Sequence, residues 1–214
     1  MIVIDPEGFN PIKNYTGIIL AGGKSTRLGG VSKARIVFDG KPLLMHAADA
    51  FRRMFRDVWI VAGASDGFVD MGLPVVRDSF FDVGPLGGIH AGLSVANTQH
   101  VFVTACDQPF INEPLVRAMA GAAGDSDAFI PRMEQLLFPL FACYSKRCLP
   151  VIEEHIGRGM LQVRKIYPHV RTRYADRIWM EQFDPEMKSV ININTPQDFE
   201  AACRAADVPR ESVA

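Results

Sequence analysis

The sequence predicts an α/β fold in which a mostly parallel sheet lies between two layers of helices. Two observations lead to this prediction. Apolar runs of strand length alternate with amphipathic segments of helix length along the 214 residues. The first apolar run leads directly into a glycine-rich loop within residues 17–33, GIILAGGKSTRLGGVSK. Repeated strand–helix–strand units imply right-handed crossovers, and ligands in such sheets bind beyond the carboxyl ends of the strands.

The predicted strands follow from short apolar runs bounded by glycine, proline or charged residues. They cover residues 16–20, 57–63, 73–78, 100–107, 127–132, 136–144 and 189–194. The run at 100–107 is predominantly apolar, which is typical of the middle of a parallel sheet. Pro139 interrupts the run at 136–144 and indicates an edge or a bulge.

The predicted helices are placed by periodicity and by their first residues. One starts at Pro42 and runs to about Arg56, and another covers residues 84–97. Asn112 is a capping residue for a helix to about Ala123, and Ser145 begins a segment whose course is obscured by Pro150. In the last helix, Thr195, Pro196 and Asp198 supply the cap, the first-turn proline and an acid near the positive end.

Composition restricts the function classes. The net charge is −1, so no global field attracts nucleic acid or anionic membrane, and any anion site must be local. The four cysteines have no zinc-ligand spacing, and three of them are flanked by apolar residues as in a protein core, for which a reducing cytoplasm is the simplest compartment. No apolar run is long enough to span a membrane. We expect a single domain over residues 16–206, with an N-terminal extension at 1–15 and a C-terminal tail at 207–214.

The loop after the first strand combines the groups that bind polyphosphates. Its glycines let backbone N–H groups approach an oxyanion, and Ser25 and Thr26 add hydroxyl donors. Arg27 and Lys33 add fixed positive charge. The spacing matches neither the dinucleotide fingerprint GxGxxG nor the P-loop GxxxxGK[ST].

A family resemblance narrows the function. LAGGKSTRLGGVSK resembles the LAGGxSxRMGxDK motif of nucleotidyltransferases, and GKPLL, VVRDS, GPLGGIHAGL, TACDQPFI and ININTPQDF follow in the order of the MobA family of molybdenum cofactor guanylyltransferases. The resemblance spans residues 16–203. It implies a Rossmann-like fold of the nucleotide-diphospho-sugar transferase type, with nucleotide bound by the N-terminal half and the pterin acceptor by the C-terminal half. The implied reaction transfers GMP from GTP to molybdopterin with Mg²⁺ and releases pyrophosphate.

The resemblance also implies roles for individual residues. Catalysis is assigned to Arg27 at the leaving group, Lys33 at the phosphates and Asp107 at the metal. Nucleotide binding is assigned to Leu20, Ala21, Gly22, Gly23, Lys33, Asp78 and Asp107. For Asn192 and Asn194, at the end of the last predicted strand, the amides suit binding of the acceptor or completion of the metal shell, and the alternative is capping of the helix that follows. A carboxylate after a strand is chemically suited to Mg²⁺, and catalysis by positioning and charge neutralisation needs no protein nucleophile.

Two positions depart from the family pattern. Ser32 stands where an acid usually precedes the lysine, and Val61 aligns with a position that is often asparagine. The alternatives are therefore an enzyme that uses CTP on the same pterin, a nucleotidyltransferase with another phosphorylated acceptor, and a non-enzymatic nucleotide carrier. The expected partners are GTP, molybdopterin, other cofactor-biosynthesis proteins and acceptor molybdoenzymes, without nucleic acid or membrane. A group of basic residues is either a docking surface for the anionic pterin or a solvated face: Arg158, Arg164, Lys165, Arg171, Arg173 and Arg177.

Overall fold

The computed structural model describes residues 11–22, 32–63, 67–78, 80 and 82–208. Their strands are β1 (Tyr15–Leu20), β2 (Val37–Phe38), β3 (Lys41–Pro42), β4 (Val58–Ala62), β5 (Val75–Arg77), β6 (His100–Ala105), β7 (Ala128–Met133), β8 (Leu136–Leu137), β9 (Phe141–Ser145) and β10 (Thr172–Asp176). Their α-helices are α1 (Leu43–Met54), α2 (Pro85–Val95), α3 (Glu113–Ala122), α4 (Leu149–Gly157), α5 (Arg177–Glu181) and α6 (Pro196–Ala206).

The main sheet has the strand order β10-β7-β9-β6-β1-β4-β5, and β8 pairs with the end of β7. The pairs β1–β4, β1–β6, β4–β5 and β7–β10 are parallel, whereas β9 runs antiparallel to both β6 and β7. The predicted α/β class with a mostly parallel sheet is confirmed. The expectation of parallel neighbours for β6 holds only on the β1 side, because β9 returns the chain in the opposite direction.

Helices cover both faces of the sheet. On one face, α2 and α4 pack against alternate side chains that include Ile18, Val103 and Ile130. On the other face, α1 and α3 cover Ile19 and Phe102. Successive residues of a strand point to opposite faces, so a strand buried on both sides reads as a continuous apolar run.

Most predicted elements form where the patterns place them. The Asn112 side chain accepts a hydrogen bond from the Leu115 N–H at 2.8 Å and so caps α3. Thr195 and Asp198 form a reciprocal capping box at the start of α6. A short 3₁₀ turn follows Ser145 and leads into α4, which accommodates Pro150 in its first turn, where no N–H is needed. These helix starts were readable because each cap is local in sequence.

Two predicted strands are wrong. Residues 136–144 form two strands, β8 and β9, because the chain turns between them and the Phe141 N–H bonds to the Phe138 carbonyl. Residues 189–194 form no strand; a 3₁₀ turn at Lys188–Val190 leads into an extended segment. The prediction came from apolar residues that recur as they do in a strand. Ile193 is indeed buried, but its N–H bonds to the Asp107 carbonyl and not to a neighbouring strand.

A small third hydrophobic cluster fixes α6 beside the carboxyl edge of the sheet. Phe199 and Ala202 of α6 pack with Phe38 of the β2–β3 hairpin and with Ile193. This packing places the segment before α6 next to the end of β6. Among the described helices, none combines the length and the apolar character needed to cross a bilayer.

Candidate functional site

Three polar residues from distant parts of the chain meet at the carboxyl edge of the sheet. The Lys33 ammonium donates to Oδ1 of Asn194 at 2.6 Å and lies 3.5 Å from Oδ2 of Asp107. The side chains of Lys33 and Asp107 are 18% and 14% exposed, so this ion pair is largely removed from solvent. A lysine held in this way presents a fixed positive charge to an approaching anion.

Each of these residues is positioned by a different local structure. Asp107 lies two residues after the end of β6, and Lys33 opens the 3₁₀ turn Lys33–Arg35. Asn194 precedes the capped start of α6, where its N–H bonds to Asp198 at 3.0 Å. The 2.9 Å bond from the Ile193 N–H to the Asp107 carbonyl joins the two segments. Tertiary packing therefore brings together residues that are 74 and 161 positions apart.

The site contains oxygen atoms that suit a divalent cation. Within the described part of the chain, Asp107 Oδ1 and Asn192 Oδ1 are buried without a hydrogen-bond partner. Buried polar atoms are usually paired, and these two are not paired with any described residue. No cluster of three or more His, Cys, Asp or Glu side chains occurs among the described residues. One carboxylate, an amide oxygen and substrate phosphates fit the sparse protein ligation that Mg²⁺ accepts.

Electrostatics in this site favour occupation by a cation. Burial raises the pKa of the Asp107 carboxyl, and the nearby Lys33 ammonium only partly opposes this effect. A buried carboxylate with one unpaired oxygen gains from an additional positive charge.

Gln108 is a supporting residue that the sequence analysis did not identify. Its side chain is almost completely buried, and its Oε1 accepts from Thr104 Oγ1 at 2.9 Å and from the Ala105 N–H at 3.0 Å. These bonds fold the amide back onto the end of β6 and fix the turn that carries Asp107. The available signal was a polar amide between Asp107 and Pro109 in an otherwise apolar stretch.

Asp78 lies at the opposite side of this edge, after β5. Its N–H bonds to the Ala62 carbonyl at 3.1 Å, and its Oδ1 accepts from the Phe80 N–H at 2.9 Å. Burial raises the pKa of the Asp78 carboxyl, although the Phe80 N–H and His90 oppose the shift. The Phe80 N–H therefore fixes the orientation of the side chain, and no other described residue donates a hydrogen bond to it.

Glycines at the start of α2 make room for this side chain and for β1. A Cβ at Gly87 would lie 2.5 Å from Asp78 Oδ2, and one at Gly88 would lie 3.1 Å from the Leu20 side chain. Gly84 has φ 70° and ψ −152°, a conformation that is available mainly to glycine. Gly88 thus serves helix packing, whereas Gly87 permits Asp78 to lie against the positive end of α2.

Leu20, Ala21 and Gly22, at the end of β1, lie between the Asp78 end and the Lys33–Asp107 end of this edge. The Leu20 carbonyl accepts from the Cys106 N–H, and the Ala21 N–H donates to the Val61 carbonyl. Both hydrogen bonds join neighbouring strands of the sheet. A Cβ at Gly22 would lie 3.1 Å from the Gly63 nitrogen, so the backbones approach closely there. Gly22 is the first residue beyond these sheet bonds.

The sheet register places the two ends of the site at the same height. Leu20 lies opposite both Val61 and Ala105, and Val61 lies opposite Val76. Asp78 and Asp107 each follow two residues beyond this row. Three strand spacings separate β5 from β6, or about 14 Å.

Other predicted residues fall outside this assembly. Gly23 and Arg27 lie outside the described residues. Val61 is internal to β4 and buried. Most of the suspected basic surface is engaged in local structure. Arg171 pairs with Asp125 and Asp127, while Arg173 donates to the Ala122 carbonyl.

Comparisons with known proteins agree with this geometry. The family model described as the MobA-like NTP transferase domain matches residues 17–173. The molybdenum cofactor guanylyltransferase of Desulfosudis oleivorans is 35% identical over 198 residues, covering 92% of this chain and 98% of that protein. A probable molybdenum cofactor guanylyltransferase of Pelotomaculum thermopropionicum is 37% identical over 184 residues, covering 86% and 89%.

A solved structure shares the fold. The molybdopterin-guanine dinucleotide biosynthesis protein A of Archaeoglobus fulgidus superposes with a TM-score of 0.80 at 24% identity, covering 90% of this chain and 98% of that one. At this identity the likeness concerns the fold.

Proposed function

Because this chain belongs to the family of MobA-like NTP transferase domains, we propose that it transfers GMP from GTP to molybdopterin and releases pyrophosphate. The observation that carries the proposal is the contact of Lys33 with both Asn194 and Asp107, beside Asp107 Oδ1, which has no hydrogen-bond partner among the described residues. A fixed ammonium and an available carboxylate oxygen at the carboxyl edge are the groups that phosphoryl-type transfer requires.

The proposed reaction is an in-line displacement at the α-phosphorus of GTP. A terminal phosphate oxygen of molybdopterin forms a bond to this phosphorus, while the bond to the bridging oxygen of the leaving pyrophosphate breaks. Lys33 holds negative charge on the phosphates as it redistributes, and Asn194 keeps the ammonium in place. Arg27, in the loop that precedes Lys33, is proposed to neutralise the leaving group.

We propose that Asp107 holds Mg²⁺ through Oδ1, with Asn192 supplying a second oxygen. The two unpaired oxygen atoms support this assignment. When bound, the ion neutralises phosphate charge and orients the phosphate oxygens. The contribution of the chain itself is to keep the carboxylate dry and aligned, through the Ile193–Asp107 backbone bond and the Gln108 amide.

We propose that the base of the nucleotide lies toward Asp78 and the loop at Leu20–Gly23. A carboxylate can accept hydrogen bonds from both N1–H and N2–H of guanine, and cytosine does not present this pair. Asp78 is oriented by Phe80 and accommodated by Gly87, which supports a fixed recognition role. The N-terminal half of the chain thus carries the nucleotide, and the C-terminal half carries the acceptor, with Asn192 and Asn194 near the acceptor phosphate.

The setting follows from the same proposal. Other proteins must supply molybdopterin, and molybdoenzymes must receive the finished cofactor. We therefore propose contact with other cofactor-biosynthesis proteins and with acceptor molybdoenzymes. We place this chemistry in the cytoplasm, where the four buried cysteines would remain as reduced thiols.

The test combines purified protein, molybdopterin and each nucleoside triphosphate, with Mg²⁺ or with a chelator. We expect pyrophosphate and a guanine dinucleotide product from GTP with Mg²⁺, measured by a coupled assay and mass spectrometry. Product from CTP instead of GTP would identify a cytidylyltransferase and reject the guanine assignment. Nucleotide binding without turnover on molybdopterin would favour the carrier hypothesis or another acceptor.

A further inference from the structure

A groove at the carboxyl ends of β7 and β10 has no role in the nucleotide site described above. It is an open groove with a volume of about 660 Å³, which lies within the range of small-molecule sites. Its floor and walls come from β7, β10, the β7–β8 turn and the start of α5. The lining residues used below are Arg132, Glu134, Tyr174, Asp176 and Ile178.

The groove lies at the same height as the catalytic residues. Phe102 of β6 and Phe129 of β7 both lie opposite Cys143, and Phe129 lies opposite Arg173 of β10. Three residues further along each strand, Ala105, Arg132 and Asp176 therefore form one row. Asp107 follows two residues beyond this row.

The lateral separation suits an extended acceptor. The strand order β10-β7-β9-β6 places β7 two spacings and β10 three spacings from β6, or about 10 and 14 Å. A ligand with its phosphate at Asp107 and a fused ring system at the far end would reach the groove.

The groove offers a surface on which a ring can stack. The Arg132 guanidinium lies over the Tyr174 ring, 4.7 Å from its centroid. Within the described residues, no carboxylate forms an ion pair with Arg132. Tyr174 is 38% exposed and Ile178 is 77% exposed, so apolar area remains open beside the guanidinium. Planar π systems stack favourably on arginine and tyrosine faces.

The same groove presents hydrogen-bond acceptors near this surface. Glu134 is an exposed carboxylate in the tight turn between β7 and β8. Its φ of 53° lies in the left-handed region, which favours glycine or asparagine over glutamate. Asp176 uses Oδ1 to cap α5 at the Trp179 N–H, which leaves Oδ2 for another donor. A carboxylate can accept two adjacent N–H groups from a heterocycle edge.

We propose that this groove binds the pterin ring of the acceptor, an inference that rests on the proposed function. The ring lies against the Arg132–Tyr174 pair, and its amino-pyrimidinone edge donates to Glu134 or Asp176. Asn192 and Asn194 lie at the phosphate end, and the groove is the ring end of one continuous acceptor site.

The test compares groove variants with a matched control in full-length protein. Tyr174→Ala removes the ring, Tyr174→Phe retains it, and Glu134→Gln removes the charge. Arg56→Ala is the control, because Arg56 is an exposed arginine that follows α1 and lies outside the groove. We expect Tyr174→Ala to raise the KM for molybdopterin about tenfold, the order of magnitude of one lost stacking contact, while the KM for GTP is unchanged. Glu134→Gln should also raise it, whereas Tyr174→Phe and Arg56→Ala should retain the wild-type value.

A second measurement separates this inference from the proposed function. Pterin-6-carboxylate is fluorescent, and its titration with wild-type protein should show binding that Tyr174→Ala weakens. If wild-type protein does not convert molybdopterin, the proposed function fails, and this titration alone decides the groove. Titration curves that are the same for wild type and Tyr174→Ala, or an unchanged KM for molybdopterin in all groove variants of an active enzyme, would overturn the inference.

Discussion

The Lys33 ammonium donates to the Asn194 side chain at 2.6 Å, across 161 residues of sequence. The bond joins the end of the first glycine-rich loop to the segment before the last helix. Since Asp107 lies 3.5 Å from the same ammonium, the three residues act as one unit, and their effects should not add independently.

Replacement of Asn194 should therefore impair catalysis more than folding. We expect Asn194→Ala to lower kcat about a hundredfold, because a small displacement of a catalytic charge has effects of this size. The cap of α6 depends on Thr195 and Asp198, so the thermal midpoint should change little. The double variant Lys33→Ala/Asn194→Ala should be no slower than Lys33→Ala alone. If the loss of kcat in the double variant equals the product of the losses in the two single variants, Lys33 and Asn194 act independently and the proposed coupling is wrong.

Asp107→Asn tests the metal carboxylate with minimal change in shape. We expect kcat to fall by about 10² to 10³ or more, since a charge that is needed in the transition state is removed. Circular dichroism and thermal unfolding should match those of wild type. Turnover with normal Mg²⁺ dependence in this variant would reject Asp107 as the ligand.

The buried Gln108 amide gives a different prediction, because it acts on the turn and not on substrate. Gln108→Leu leaves the Ala105 N–H and the Thr104 hydroxyl without their partner. We expect a loss of about 1–3 kcal/mol in the free energy of unfolding, together with a raised Mg²⁺ requirement. Thr104→Val removes only one of the two bonds and serves as the milder comparison. Equal, unaltered Mg²⁺ titrations for both variants would limit Gln108 to a purely structural role.

Gly87 and Gly121 form a matched pair of helical glycines. A Cβ at Gly87 would meet Asp78 Oδ2 at 2.5 Å, whereas at Gly121 it meets nothing within 4 Å. We expect Gly87→Ala to raise the KM for GTP by displacing Asp78, and Gly121→Ala to stabilise the fold by about 0.5–1 kcal/mol without affecting kinetics. Steady-state kinetics and denaturant unfolding measure both effects. A normal KM for GTP in Gly87→Ala would argue against Asp78 as a base contact.

Asp127 should make stability depend on pH. Burial would raise the pKa of its carboxyl, but bonds from Arg147 and Arg171 outweigh burial and hold that pKa below its ordinary value. The folded state therefore favours the ionised form, and this contribution is present above the unfolded-state pKa and lost as the pH falls through the folded-state pKa. We expect Asp127→Asn to be less stable than wild type at pH 7, with a gap that narrows below about pH 4.

Urea unfolding of both proteins between pH 7 and pH 3 measures this gap. Asp125→Asn is the control, because the Asp125 side chain is 89% exposed and exposed ion pairs contribute little. If the difference in the free energy of unfolding between wild type and Asp127→Asn stays constant over this range, ionisation of Asp127 is not linked to folding.

The sequence alone was sufficient to predict those elements whose determinants lie within a few residues of each other. The strands at 16–20 and 100–107 and the caps at Asn112 and Thr195 depend on residues within a few positions, and their alternation specified the α/β class. The order of motifs also specified the family and pointed to Lys33 and Asp107, because such residues follow strands whose carboxyl ends share an edge.

Tertiary structure decided the features that depend on residues far apart in the chain. The antiparallel course of β9 and the non-strand path of residues 189–194 arise from pairing and packing with distant segments, which periodicity does not encode. The Lys33–Asn194 contact, the support from Gln108 and the room that Gly87 leaves for Asp78 exist only after helices dock on the sheet. The physical reason is that hydrophobic alternation records burial, whereas the partner of each buried polar group is chosen by the complete fold.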